Sequence, residues 1–156
     1  NMSLADNKGK GYGLTKGVNK ARIEEYRESL KQLNLGLEDK LYTKVGSLSG
    51  GQRQALALLM STVTPIEFLI LDEHTAALDP KTAEIIMELT DKIVREKKVT
   101  TIMVTHNLRY AVEYGDRILM MHQGNAVLDK AGEEKKAINT EEIMGIFNRI
   151  SVECGN

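Results

Sequence analysis

Apolar residues recur along this chain with two different periods, and each change from one to the other marks an element. In "KARIEEYRESLKQLNL" the residues Ile23, Tyr26, Leu30 and Leu33 fall at helical spacing with charged residues between them, which predicts an amphipathic helix. "SLSGGQRQ", residues 47 to 54, leads into the apolar "ALALLMSTV", a second helix with two glycines at its mouth. "FLILDEHTAALDP", residues 68 to 80, opens with an unbroken apolar run that ends in two carboxylates, the pattern of a strand buried on both faces of a parallel sheet. Asp79 and Pro80 then make an N-cap and first helical position, with Ile85, Ile86, Leu89 and Ile93 as the buried stripe of the helix that follows.

A second apolar strand, "TTIMV", runs into Thr105, His106 and Asn107, and "LRYAVEYG" reads as a short helix closed by Gly115. "DRILMMHQGNAVLDKAG" predicts two strands joined at Gln123-Gly124-Asn125, and "TEEIMGIFNRI" a last helix carrying Ile143, Phe147 and Ile150 at successive turns. Strands interleaved with helices place the chain in the α/β class.

Composition narrows the functions open to such a chain. Its 156 residues suffice for one core, or one domain and a piece of another, and 42% hydrophobic with 28% charged residues is an ordinary globular balance. Lys plus Arg number 21 against 22 Asp plus Glu, so a net charge of −1 offers no general attraction to nucleic acid or acidic lipid, and no nucleic-acid partner is expected. The single cysteine, Cys154, excludes an internal disulfide framework and fits a reducing compartment. No apolar run approaches the length of a bilayer span. Because the sequence opens on Asn1, it is expected to be a piece of something longer.

Three stretches carry candidate chemistry. "NKGKGYGLTKGVN", residues 7 to 19, alternates glycine and lysine like a phosphate-binding loop, but the spacing fails: five residues beyond Gly9, Gly11 and Gly13 stand Leu14, Lys16 and Val18. The G-x-x-x-x-G-K-[ST] geometry needs glycine there, and no apolar strand precedes the stretch, so a flexible basic surface loop is expected. In the second stretch, Ser49 and Gln52 have the spacing of a capping box, which accounts for both residues but not for Gly50 and Gly51. Each glycine costs about 1 kcal/mol relative to alanine inside a helix. A helix mouth with bare N–H groups is also an anion site, and spacing alone leaves the two readings level. Third, Asp72 and Glu73 stand at the carboxyl end of a strand, where ligands of parallel sheets gather; one could hold Mg²⁺ and the other polarise a nucleophile, against a solvated acidic loop as the alternative. His106 follows the next strand, and a lone histidine is more often a structural hydrogen-bonding group than a catalytic one. His74, His106 and His122 lack metal-ligand spacing.

In this order, "LSGGQRQ" at 48 to 54, "FLILDE" at 68 to 73, "ALD" at 77 to 79 and "VTH" at 104 to 106 resemble the nucleotide-binding subunit of ATP-binding cassette (ABC) transporters. The resemblance implies part of a P-loop NTPase-like parallel sheet flanked by helices, with an α-helical signature subdomain: helical over 1–64, the carboxyl-terminal half of the ATPase core over 65–132, and a helical tail over 133–156. It implies that Ser49, Gly50, Gly51 and Gln52 bind the γ-phosphate of ATP held by a second ATPase subunit, identical or not, in a head-to-tail dimer. Asp72 would help hold Mg²⁺, Glu73 would be the general base, His106 would contact the γ-phosphate, and Asp79 would couple the two sites across the dimer. Transmembrane permease subunits would be the other partners, placing the protein on the cytoplasmic face of the membrane as an ATPase that powers solute transport.

Two departures qualify the likeness. The family usually has proline after the catalytic glutamate, where this chain has His74; the substitution is expected to be tolerated, with a titrating group now beside the base. The phosphate-binding loop, the adenine-stacking aromatic and the glutamine loop are expected ahead of Asn1, so the chain is expected to be the carboxyl-terminal part of a cassette and inert by itself. The same motifs occur in cassette ATPases of DNA repair, which interrupt the cassette with a coiled coil not matched by any sustained heptad run here, and in translation factors with paired cassettes. A non-catalytic interaction fragment is the remaining alternative.

Overall fold

The structure, a computed structural model, describes residues 1–7 and 20–153 and divides into two compact units, Asn1–Ile102 and Met103–Asn156. The glycine-lysine stretch from Lys8 to Asn19 and the cysteine Cys154 lie outside the described residues.

The first unit is built on helices. A short α1 (Met2–Asp6), which carried no periodic signal, precedes α2 (Ile23–Lys31) and α3 (Gly50–Thr62). Tyr26 and Leu30 of α2 are buried as their spacing predicts, and Leu33 is buried just past the helix end. Ala55, Leu56, Leu58 and Leu59 of α3 join them in one core with Leu37 and Leu48. Arg22 pairs with Asp6, and the Tyr26 hydroxyl donates to the same carboxylate at 3.1 Å, which ties α1 to the start of α2.

Strand β1 (Phe68–Asp72) and strand β2 (Thr100–Val104) are neighbours in a two-stranded sheet, and α4 (Pro80–Lys97) lies between them in the chain. A helical crossover of that length is the connection a parallel pair requires. The strand expected to be buried on both faces is covered on one. Leu69 is buried and Leu71 packs on the core, whereas Phe68 and Ile70 remain 49% and 64% exposed and Ile102 51%. Successive side chains point to opposite faces, and among the described residues only the Leu69 face has a covering layer. A continuous apolar run does not by itself distinguish these two cases. Along α4 the stripe also shifts by a position: Ile86, Met87 and Ile93 are buried, Leu89 packs against them, and Ile85 is 36% exposed.

The second unit centres on a hairpin of β3 (Arg117–His122) and β4 (Asn125–Ala131), antiparallel with a register irregularity between Met120 and Met121. Its turn falls where expected but is one residue shorter, since Asn125 belongs to β4. Gln123 and Gly124 both have positive φ, 46° and 80°, and His122 pairs with Asn125, so the loop has two residues with the twist a tight hairpin needs. Helices α5 (Leu108–Glu113), α6 (Gly132–Ala137) and α7 (Thr140–Glu153) complete the unit around Ile118, Leu128, Ile138 and Ile143. On α7 the buried side runs through Ile143 and Ile146; Phe147, placed in the stripe by spacing, is 53% exposed. Among the described residues no helix is long and apolar enough to cross a membrane.

Candidate functional site

The mouth of α3 carries the capping box that its spacing allows. Ser49 Oγ accepts from the Gln52 N–H at 3.2 Å and Gln52 Oε1 accepts from the Ser49 N–H at 3.1 Å, a complete capping box. Gln52 is committed further: Lys40 Nζ donates to Oε1 at 3.2 Å and Nε2 donates to the Leu35 carbonyl at 2.9 Å. The first bond along the helix runs from the Arg53 N–H to the Ser49 carbonyl at 3.0 Å. Among the described residues, the N–H groups of Gly50 and Gly51 have no acceptor. The box uses the flanking residues and leaves the glycine amides as two bare donors at the positive end of a thirteen-residue helix. The capping and anion-site readings are therefore compatible.

Packing within the chain adds a second reason for the glycines. A Cβ built on buried Gly51 would run into Cγ2 of Thr82, and one on Gly50 would lie 3.1 Å from Leu78 Cδ2. Both partners flank Asp79, the N-cap of α4, whose Oδ1 accepts from the Thr82 N–H at 3.0 Å. The mouths of α3 and α4 thus meet at a glycine surface. Hydrogen bonds from the Thr82 side chain and backbone hold the Asp79 carboxyl below its usual range.

Asp72 closes β1 with an exposed side chain, and Glu73 follows with φ +43°, a left-handed conformation uncommon for a residue with a Cβ. Two turns then carry the chain to Asp79: the Ala76 N–H donates to the Glu73 carbonyl at 3.0 Å and the Leu78 N–H to the Thr75 carbonyl at 3.1 Å. Half-buried His74 lies between them, its Nε2 3.2 Å from Thr90 Oγ1, and burial pushes its pKa down. Among the described residues no three His, Cys, Asp or Glu side chains cluster as a metal cage. Exposed carboxylates such as Asp72 and Glu73 suit a hard ion that keeps most of its water, as Mg²⁺ does.

His106 belongs to the second unit and is exposed there, between two side chains that order the backbone. Thr105 Oγ1 accepts from the Asn107 N–H at 3.1 Å, and Asn107 Oδ1 caps α5 by accepting from the N–H groups of Arg109 and Tyr110 at 3.1 and 3.3 Å. Sequence reasoning passed over Leu78, Thr82 and Thr90. Thr90 had a legible signal, a polar residue four positions after Ile86 on the buried side of α4; the approach of Thr82 to Gly51 had none.

The chain is similar in sequence and fold to known proteins. A family model described as ABC transporter matches residues 1–76. A tyrosine transport ATP-binding protein of Clostridioides difficile (strain R20291) is 51% identical over 147 residues, 94% of this chain and 58% of its own length. The energy-coupling factor transporter ATP-binding protein EcfA2 of Bacillus cereus (strain ATCC 14579) is 40% identical over 115 residues, covering 72% of this chain and 39% of its own length. A solved dimeric ATP-binding cassette in a post-hydrolysis state, bound to ADP and Pi, superposes with a TM-score of 0.64 at 30% identity, over 83% of this chain and 54% of that one. The chain therefore spans 58% or less of the length of each of these relatives.

Proposed function

We infer the function from one premise: the chain belongs to the ABC transporter family. On it we propose that the protein is an ATP-hydrolysing subunit that powers solute transport, pairing head to tail with a second ATPase subunit and docking through its helical segment, 1–64, on permease subunits at the cytoplasmic face of a membrane. The segments 65–132 and 133–156 supply the catalytic half-core and a tail.

The observation that carries this reading is the pair of bare amides at Gly50 and Gly51. An anion approaching the α3 axis meets two N–H donors, the helix dipole and no Cβ. In the proposed pair that anion is the γ-phosphate of ATP presented by the other subunit, and Ser49 and Gln52 hold the mouth in shape. Asp72 would hold Mg²⁺, which neutralises phosphate charge when bound. Glu73 orients and deprotonates the attacking water, His106 contacts the γ-phosphate, and Asp79, fixed beside the glycine surface, senses the opposing subunit. Phosphoryl transfer is mainly positioning and charge stabilisation, so dividing these groups between two chains makes hydrolysis depend on closure.

Glu73→Gln tests the assignment in the whole protein. Turnover should stop while Mg-ATP still drives pairing in sedimentation experiments; near-normal hydrolysis would remove Glu73 from its role. The 156 residues alone, which contain no G-x-x-x-x-G-K-[ST] sequence, should not bind Mg-ATP in calorimetry.

A further inference from the structure

A left-handed backbone is strained for a residue with a Cβ, so the surroundings of Glu73 must impose it. On one side stands the end of β1. On the other, His74 reaches 16 residues along the chain to Thr90.

The direction of that bond follows from proton counting. Thr90 is buried at 5% exposure, and its hydroxyl lies 2.7 Å from the Ile86 carbonyl, which can only accept. A hydroxyl has one proton. With it given to Ile86, Thr90 Oγ1 can only accept from His74, so Nε2 carries the hydrogen and Nδ1 of the neutral ring is bare. Ile86 and Ile93 flank Thr90 on α4 and are buried in the core of the first unit, so the acceptor sits on a rigid element.

We propose that His74 is a positioning residue for Glu73: its Nε2–H bond to Thr90 Oγ1 clamps the left-handed turn to α4 and so sets where the carboxylate points. This rests on the reading of Glu73 as the base.

The test uses the whole protein with variants at Thr90 and His74, singly and together. Thr90→Val keeps the shape of the side chain and removes the acceptor; kcat should fall roughly tenfold or more with KM for ATP unchanged, because misplacing the base affects the chemical step and not ground-state binding. Thr90→Ser restores the hydroxyl and should restore kcat, which a loss of packing would not explain. His74→Ala should match Thr90→Val, and the double variant should be no slower than either single one. Nitrogen-15 shifts of the His74 ring should report the Nε2–H form in the wild type.

Wild-type kcat in both Thr90→Val and His74→Ala, with Glu73→Gln inactive, would overturn the clamp and leave the functional reading standing. A ring protonated on Nδ1 alone would overturn the clamp whatever the activity. A wild-type protein without ATPase activity would remove the functional reading and the clamp together.

Discussion

The Cγ2 methyl of Thr82, in the first turn of α4, occupies the space that a side chain on Gly51 of α3 would need. Gly51→Ala therefore brings two opposed effects. Alanine gains about 1 kcal/mol of helix propensity, and forcing a methyl against a packed neighbour costs about 1–3 kcal/mol. The single variant should be destabilised in urea titrations. Thr82→Ser removes the methyl and keeps the hydroxyl that serves Asp79, so adding Gly51→Ala to Thr82→Ser should raise stability above that of Thr82→Ser alone. Equal losses in both backgrounds would show that the contact does not govern this position.

That contact marks the limit of what was legible in the sequence. Local rules identified the Ser49–Gln52 box, the Asp79-Pro80 helix start and a turn near Gln123-Gly124-Asn125, because each is decided by residues within a few positions of one another. The exposed face of β1 was not legible, since Phe68 and Ile70 read the same whether or not a layer covers them. Nor was the role of Gly51, for its neighbour Thr82 is 31 positions away by residue number and only the fold brings it near. Among candidate site residues, types and order were visible in the motifs. The left-handed turn at Glu73 and the tether of His74 to Thr90 needed coordinates.

Asn107 should matter more than its position beside His106 suggests. Helix α5 has six residues, too few to be stable on propensity, and Asn107 Oδ1 satisfies two of its first-turn donors. Asn107→Ala should cost about 1 kcal/mol in thermal or urea unfolding, while Asn107→Asp keeps the acceptor and should stay near wild type. If His106 acts on the γ-phosphate, ATPase activity should follow the same order, with the alanine variant lower. An alanine variant with unchanged stability would mean that the cap is not formed in solution.

His74 also sets a dependence of stability on pH. Burial lowers its folded-state pKa below the ordinary 6.5. Between those two values the unfolded chain binds a proton that the folded chain does not, so stability rises with pH through that window. The contribution is fully present above about 6.5 and is lost as pH falls through the folded-state value. Urea midpoints taken from about pH 8 down to about pH 5 should fall more steeply for the wild type than for His74→Gln, which cannot titrate. Parallel curves would show that His74 titrates as it does in the unfolded chain.

Ser49 separates the structural and functional uses of one helix mouth. Its hydroxyl accepts the Gln52 N–H, so Ser49→Ala should cost about 1 kcal/mol of stability. Asp is as good an N-cap as Ser and also complements the helix dipole, so Ser49→Asp should restore that stability in full. It also places a negative charge beside the Gly50 and Gly51 amides, where the proposed phosphate is to bind, and like charges there repel. Nucleotide-driven pairing should consequently fail in the stable Asp variant and survive in Ser49→Thr, which caps without charge. Analytical ultracentrifugation with Mg-ATP distinguishes the cases: pairing of Ser49→Asp at wild-type strength would mean that no phosphate approaches the mouth of α3, and Gly50 and Gly51 would then serve only the packing of α3 on α4.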